Sequence, residues 1–167
     1  MKVVFLDFNG VLDTYDEMDV IDKSNLNRLK KIVDVTGEKI VISSSNKNNY
    51  YRNGYISGIL KYLINSLLIE GFDVIGLLPM GDSREEEIKM YLSMHPEINE
   101  FVILDDDYEM PSFKKQLIKL PSQMIGSLQR GLEDKHVYKA IEILGEMSFS
   151  EKQNRKFLGL KLVPKEE

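Results

Sequence analysis

The sequence of 167 residues contains no cysteine, so neither disulfide bonds nor thiolate zinc sites are available to it. It also lacks any apolar run near the roughly 20 residues that a transmembrane helix needs. Residues 1–8 hold one lysine followed by a strand-like apolar run, without the cleavable apolar segment of a signal peptide. There is no internal repeat, low-complexity segment or linker. We therefore expect an intracellular, cytoplasmic enzyme or binding domain with no membrane partner.

Positive charge is not in excess either. The formal net charge is −5, which gives no global attraction to nucleic acids or anionic membranes and leaves only local basic grooves as candidate surfaces. Apolar residues make up 43% and charged residues 29% of the chain, as in soluble globular proteins, so we expect one domain with its own core. We predict this domain over residues 1–147, followed by a C-terminal extension of unknown role over residues 148–167.

Hydrophobic periodicity alternates between strand-like and helix-like segments. Short apolar runs predict strands at residues 2–6, 39–43, 73–78, 100–104 and 116–120. Helical spacing predicts helices from a Ser24 cap to Gly37, over residues 50–70 with a break near Gly54 or Gly58, from a Ser83 cap to about residue 95, and over residues 134–147. This alternation predicts an α/β fold, a three-layer Rossmann-like arrangement with helices on both faces of a mainly parallel sheet.

Polar residues follow several of the predicted strands. They are Asp7, the Ser43–Ser45 stretch, Arg84 at a helix start and the Asp105–Asp107 cluster. Each has an ordinary explanation alone; Asn9-Gly10 between apolar runs, for example, is typical of a β-hairpin turn. However, ligands of parallel sheets collect beyond the carboxyl ends of the strands, where Asp7 and the acidic cluster would face each other. Crowded carboxylates require a cation, and hard oxygen ligands beside a hydroxyl and a guanidinium suit Mg²⁺ together with a phosphoryl group.

The order of these residues resembles the motifs of the haloacid dehalogenase (HAD) superfamily of phosphohydrolases. The first motif resembles Leu6–Leu12, the second Ile40–Ser44 with Ser44 as the preferred match, the third Arg84, and the fourth Phe101–Asp106. A closer resemblance, over roughly residues 2–145, is to a small group of HAD domains, some of them associated with RNA-repair systems. It depends on the phrases Ser83–Ile88, Tyr91-Leu92, His95-Pro96, Phe101–Asp107 and Gly131-Leu132.

The resemblance implies a HAD-like fold and a phosphatase reaction through an aspartyl-phosphate intermediate. Asp7 would be the nucleophile and Asn9 would occupy the acid/base position. Ser44 and Arg84 would stabilise the transferring phosphoryl group. Mg²⁺ would be the cofactor, with ligands from the Asp7 carboxylate, the Asn9 backbone carbonyl, and Asp105 or Asp106.

Asn9 departs from the family's pattern, which has an aspartate at this position. An amide has no ionisable proton near neutral pH, and general acid–base catalysis typically contributes about 10²- to 10⁴-fold in rate. Three explanations are open: an introduced Asp-to-Asn change that traps substrate, a slow or retired native phosphatase, or proton transfer by another group such as Asp13 or Asp16. We favour the first, because the change is isosteric and the other motif positions are kept. It predicts that aspartate at position 9 gives phosphate release.

The spacing of the motifs leaves no room for a separate cap domain. About 30 residues separate the first two motifs, enough for a flap and one helix, and the next interval holds about one helix and one strand. An open site admits a large phosphorylated substrate, and with the resemblance this favours a phosphate on an RNA or DNA end. Ser45, Lys47 and Arg52 are the predicted substrate-binding residues, beside tyrosines that could stack on bases. An ordinary exposed helix start explains the same segment.

A non-catalytic module that binds nucleotides or phosphate ends on the same fold is the alternative function. A response-regulator-like receiver domain is disfavoured, because its acidic pair would precede the phospho-acceptor in the chain rather than follow it. His95 and His136 are the only histidines, and we expect surface or capping roles for them. The sequence leaves the oligomeric state open.

Overall fold

The computed structural model describes residues 1–14, 16–121 and 130–146 of the chain. Its centre is a five-stranded sheet in which every neighbouring pair of strands is parallel. The strands are β1 (Lys2–Leu6), β2 (Lys39–Ile42), β3 (Val74–Leu77), β4 (Glu100–Asp105) and β5 (Leu117–Lys119), and they lie in the order β3-β2-β1-β4-β5. The predicted parallel sheet is confirmed, with each strand close to its expected bounds.

Five α-helices lie in the described part of the chain. They are α1 (Lys23–Thr36), α2 (Asn48–Asn53), α3 (Gly58–Ile69), α4 (Arg84–Met94) and α5 (Asp134–Leu144). The predicted helical stretch 50–70 divides at Gly54, whose φ of 74° ends α2, and it resumes after Ser57. The predicted end of the last helix, residue 147, and the predicted extension lie outside the described residues. None of the described helices is long and apolar enough to cross a membrane.

Local hydrogen bonds explain where the helices begin. Ser83 caps α4 as predicted, and its Oγ accepts the N–H of the third helical residue. The prediction that Ser24 caps α1 is wrong. Asp22 is the cap, since its Oδ1 accepts the Asn25 N–H at 2.9 Å. The side-chain oxygens satisfy helix N–H groups that have no partner within the helix.

Both histidines have the capping role expected from the sequence. His95 ends α4, and its ring stacks on Tyr91 with 4.2 Å between centroids. His136 is buried at the start of α5, where its Nδ1 accepts the Glu133 N–H at 3.0 Å. Neither ring is among the residues that meet at the carboxylate cluster described below.

Helices cover both faces of the sheet, and each face has an apolar core. On one face, α1, α3 and α5 pack on alternate strand residues, including Val4, Leu6, Ile40, Ile42, Val102 and Leu104. On the other face, Ile88 and Tyr91 of α4 pack on Val3, Phe5, Val41 and Ile103. This division follows from the alternation of side chains along a strand. It confirms the three-layer arrangement.

The strand register aligns the residues that follow the central strands. Leu6 of β1 is paired with Ile42 of β2 and with Leu104 of β4. The next residues along the chain, Asp7, Ser43 and Asp105, therefore lie side by side at the carboxyl edge of the sheet. The Asp7 N–H donates to the Leu104 carbonyl at 3.0 Å, and the Ser43 N–H donates to the Leu6 carbonyl at 2.9 Å. Alternation places these three residues on the face that α4 covers.

The segment after β1 is a tight turn and not a β-hairpin. The Phe8 carbonyl accepts the Val11 N–H at 3.1 Å and the Leu12 N–H at 2.9 Å, and Gly10 has a φ of 78°. A two-residue type I′ hairpin turn requires positive φ at both central residues, whereas Asn9 has none. Within the described residues, β1 pairs only with β2 and β4, both in parallel. The hairpin explanation is therefore excluded.

The connections around the carboxyl edge are short. Between β1 and β2 lie α1 and a flap, defined here as residues 13–20, which the structure describes except for residue 15. Between β2 and α4 lie a 3₁₀ turn (Ser45–Lys47), α2, α3 and β3, which is one helix more than predicted. The absence of a separate cap domain stays a prediction for the chain as a whole.

Candidate active site

Three carboxylates converge at the carboxyl edge of β1 and β4. Asp7, Asp105 and Asp106 are all buried, and each offers an oxygen within 4.8 Å of the oxygens of the other two. Asp7 comes from the turn after β1, while Asp105 ends β4 and Asp106 follows it. The convergence predicted from the sequence is thus present, across almost a hundred residues of chain. These three residues could hold a metal ion.

The electrostatics of this cluster are unfavourable without a cation. Burial, and after it the neighbouring Asp105 charge, together raise the pKa of Asp7 from 3.8 to about 8 against the attraction of Arg84. The pKa of Asp105 is also raised, chiefly by burial, although Arg84 lowers it. Both shifts mean that full ionisation of Asp7 and Asp105 is unfavourable in the folded protein at neutral pH. A bound cation would remove that penalty.

The hydrogen bonds of Asp105 use only one side of its carboxylate. Oδ1 accepts the Asp107 N–H at 2.9 Å and the Tyr108 N–H at 3.2 Å. Oδ2 is buried and accepts no hydrogen bond from any residue that the structure describes. Arg84 Nε is 3.7 Å from it, beyond hydrogen-bonding distance. A buried carboxylate oxygen without a hydrogen bond is costly, and a metal ion bound there would supply the missing partner.

Arg84 is buried at the first position of α4, next to these carboxylates. Its Nη2 donates to Ser45 Oγ at 3.2 Å, and its guanidinium lies 5.0 Å from the centre of the Tyr108 ring. Its Nη1 is buried and has no hydrogen-bond partner in residues 1–14, 16–121 or 130–146. A guanidinium held by Ser45 and Tyr108, with both N–H groups of Nη1 unused by the described residues, is suited to bind an oxyanion. Arg84 therefore lies where the sequence predicted a phosphate-binding cation.

The serines after β2 have different surroundings. Ser44, the preferred match to the second motif, begins the 3₁₀ turn, and its Oγ accepts the Asn46 N–H at 3.3 Å and the Asn46 Nδ2 at 3.1 Å. Ser43 Oγ is buried without a hydrogen-bond partner among the described residues. The register also places Ser43, not Ser44, level with Asp7. The sequence did not separate the two serines, because the predicted strand over residues 39–43 included Ser43, whereas β2 ends at Ile42.

Lys47 lies inside the protein rather than on an exposed helix start. Its side chain is 1% exposed, and its Nζ donates to Glu87 Oε2 at 2.9 Å. Burial lowers the pKa of Lys47, which the Glu87 contact and the Asp7 charge partly oppose. Glu87, which the sequence did not indicate, is buried and also lies 3.8 Å from Arg84 Nε. Two buried cations therefore share one buried carboxylate near Asp7. Arg52, the other predicted basic contact, is exposed on α2.

Asn9 is held by carboxylates of the flap. Its Nδ2 donates to Asp13 Oδ2 at 2.7 Å and to Asp19 Oδ1 at 2.8 Å. Its Oδ1 accepts from Asn46 Nδ2 at 3.4 Å. Asp13 was a weak candidate in the sequence, and Asp19 was not a candidate because only the folded flap brings it to position 9.

Comparison with known protein families identifies the chain. Residues 3–137 match the family described as the HAD domain in Swiss Army Knife RNA repair proteins. No curated protein and no solved structure matches the chain. The match covers both the buried carboxylates and the α/β sheet that positions them. The chain therefore belongs to the family of HAD domains found in Swiss Army Knife RNA repair proteins.

Proposed function

We propose that this protein is a Mg²⁺-dependent phosphohydrolase that uses Asp7 as its nucleophile and acts on a phosphate at a nucleic-acid end. One observation carries the proposal: three buried carboxylates lie within 4.8 Å of one another beside a buried arginine with an unpaired donor. Acidic ligands and an oxyanion-binding cation on adjacent elements are the groups that metal-assisted phosphoryl transfer requires.

The donor set fits Mg²⁺, which prefers hard oxygen ligands. Asp7, Asp106 and the Oδ2 of Asp105, which accepts no hydrogen bond from the described residues, would hold the ion together with the backbone carbonyl of Asn9. When bound, Mg²⁺ would neutralise the crowded carboxylates and withdraw charge from the phosphoryl group.

The first chemical step is attack of Asp7 on phosphorus. The Phe8 N–H donates to Asp7 Oδ1 at 2.7 Å, which orients the carboxylate so that its other oxygen attacks. The bond between phosphorus and the leaving oxygen breaks as an aspartyl-phosphate forms, and the leaving oxygen takes a proton from solvent water. Water then cleaves this intermediate to inorganic phosphate and regenerates Asp7. Asn9 cannot transfer a proton in either step, so we expect slow turnover, by about 10²- to 10⁴-fold.

Arg84 and Ser43 would bind the oxygens of the transferring phosphoryl group. Arg84 Nη1 and Ser43 Oγ are both buried, and neither has another hydrogen-bond partner in the described part of the chain. Ser44, favoured from the sequence, keeps a hydroxyl hydrogen to donate, but its oxygen already caps a turn. Separate replacement of the two serines distinguishes their roles.

The charges around the site favour a terminal phosphomonoester as the substrate. Lys47 and Arg84 place two buried cations near Asp7, which suits the dianion of a monoester better than the single charge of an internal diester. Tyr50 and Tyr51 of α2 are 41% and 43% exposed, and the centroids of their rings lie 5.3 Å apart. They could stack on unpaired bases next to the phosphate, which agrees with an RNA-repair family.

Phosphoenzyme formation tests the proposal directly. Protein with Mg²⁺ would be mixed with p-nitrophenyl phosphate or with end-phosphorylated oligonucleotides that carry a labelled phosphate. Acid-stable phosphate label on the protein and free phosphate in solution would both be measured. Asp7→Asn should abolish the label, while Asp107→Asn, an exposed acid beside the cluster, should leave it. If no substrate gives either label or phosphate, the phosphatase proposal is refuted.

A binding module without turnover is the second candidate, favoured by the amide at position 9. Calorimetry would then detect Mg²⁺-dependent binding of phosphorylated oligonucleotides, with loss of binding in Arg84→Ala. Any labelled Asp7 in the same samples would exclude this candidate.

A further inference from the structure

The side chain of Asn9 is the centre of a hydrogen-bond network that joins the flap to the turn after β1. Its amide nitrogen donates to Asp13 and Asp19, at 2.7 and 2.8 Å. Asp13 is fully buried and accepts two further hydrogen bonds, from the Gly10 N–H at 2.6 Å and the Asp19 N–H at 2.9 Å. Asn46, in the 3₁₀ turn after β2, donates to the Asn9 oxygen. One amide thus links three segments at the mouth of the site.

The network fits an amide and not a carboxylate at position 9. The Asp13 and Asp19 oxygens both accept hydrogen bonds here, so the group between them must supply two donors. An amide NH₂ has two, whereas an ionised aspartate has none. An aspartate at position 9 would bring a third carboxylate within about 3 Å of two others, where like charges repel.

The flap conformation depends on this amide. Asp19 has a φ of 62°, the only positive φ among the described residues other than glycine. Such a backbone costs energy and persists only where surrounding contacts hold it. Here the contacts are the Asp19 N–H to Asp13 and the Asp19 carboxylate to Asn9. Loss of the amide would therefore release the flap beside Asp7.

We propose that Asn9 is a positioning residue required by this fold, and not a replaced acid/base aspartate. Its amide fixes the flap against the turn after β1 and thereby fixes the turn that carries Asp7. If Asn9 were an introduced change, as the sequence alone favours, aspartate at position 9 should give phosphate release. The hydrogen-bond network instead predicts that aspartate at position 9 lowers stability and weakens ligand binding. The part of this inference that concerns ligand affinity rests on the proposed function, while the part that concerns the network does not.

Exchange of donor and acceptor tests the network. Asn9→Asp should lower the thermal midpoint of the metal-free protein by roughly 5–10 °C, because two hydrogen bonds to carboxylates are lost. The double variant Asn9→Asp/Asp19→Asn returns an amide to the pair in the reverse order and should recover at least half of the loss. Glu17→Gln removes one exposed acid from the same flap and serves as the matched control, with no effect expected.

Affinity for a phosphoryl mimic separates positioning from stability. Calorimetry with Mg²⁺ and beryllium fluoride, at a temperature where every variant is folded, should show about tenfold weaker binding for Asn9→Asp, equivalent to one charge-assisted hydrogen bond. The affinity of the double variant should be within about threefold of the parent's, because an amide again joins positions 9 and 19. Unchanged affinity in Asn9→Asp would overturn the positioning role and leave Asn9 purely structural.

The outcomes also separate this inference from the proposed function. If Asn9→Asp is as stable as the parent, or releases phosphate faster, the inference is wrong while the phosphatase proposal survives. If the parent binds no mimic and forms no phosphoenzyme, the proposed function fails, and the midpoints alone then decide whether the network requires an amide.

Discussion

Replacing Asp7 with asparagine is expected to stabilise the metal-free protein, although it removes the proposed nucleophile. The pKa of Asp7 is about 8 in the folded protein and near 3.8 when the chain is unfolded. Between these values, the unfolded chain loses the proton while the folded chain retains it. The folded protein therefore loses stability as pH rises through this window, and the loss is complete above about pH 8.

The difference between the two pKa values sets an upper limit on the stabilisation expected from Asp7→Asn. One pKa unit corresponds to about 1.4 kcal/mol, so the ceiling near pH 7.5 is about 5 kcal/mol. Asp7 and Asp105 share the excess proton, so we expect about 3 kcal/mol from Asp7→Asn, a rise of roughly 6–12 °C in thermal midpoint. Asparagine cannot ionise, so the variant should keep this advantage at every pH above the window.

Scanning calorimetry in a chelator, at about pH 5 and about pH 8, measures the effect. The advantage of Asp7→Asn over the parent should be small at the acid end and grow toward about pH 8. Excess Mg²⁺ should reduce or reverse it, because the ion would stabilise the parent's three carboxylates more than two. Asp107→Asn controls for loss of an exposed acid. Equal midpoints for parent and variant at both pH values would show that the carboxylates are not crowded and would refute the proposed cation site.

Three further predictions concern the surroundings of Asp7. Ser43→Ala should lower kcat/KM about tenfold through loss of a phosphoryl contact, whereas Ser44→Ala should mainly lower stability by about 1 kcal/mol as a lost cap; steady-state kinetics and melting curves separate the two. Lys47→Met should cost about 3–5 kcal/mol, because buried Glu87 loses the cation that donates to it and keeps only the contact with Arg84 at 3.8 Å, and adding Glu87→Gln should recover part of the loss in denaturant titrations. Tyr51→Ala should raise KM for phosphorylated oligonucleotides by about 5- to 100-fold and leave p-nitrophenyl phosphate unaffected; an equal effect on both substrates would contradict base stacking.

Much of the fold could be predicted because its signals are local. A short apolar run between polar segments indicates a buried strand, and the alternation with helical spacing fixes a parallel sheet. The cap of α1 was not predictable in this way. Asp22 and Ser24 are both good caps, and the choice depends on the Asp22 N–H, which donates to the Leu12 carbonyl at 2.8 Å. That contact is set by how the flap returns to the core, which local propensity does not contain.

The candidate site also has parts that the sequence predicts and parts that depend on the folded structure. The convergence of Asp7 with Asp105 follows from topology, because neighbouring parallel strands end at one edge. The pairing of Lys47 with Glu87 crosses 40 residues and two intervening helices, so nothing in the local sequence indicates it. Asn9 was recognised as unusual, but its role depends on Asp19, whose left-handed backbone is imposed by the folded flap.

The position of β1 at the centre of the sheet has a consequence for synthesis of the protein. β1 is made before both of its neighbours, β2 and β4, which end at residues 42 and 105. A nascent chain that has not yet delivered β4 from the ribosome has one acid of the cluster and cannot form the cation site. Pairing between such distant segments forms slowly. The proposed metal capture should therefore begin only after residue 106 has emerged, which would protect incomplete chains from premature chemistry at Asp7.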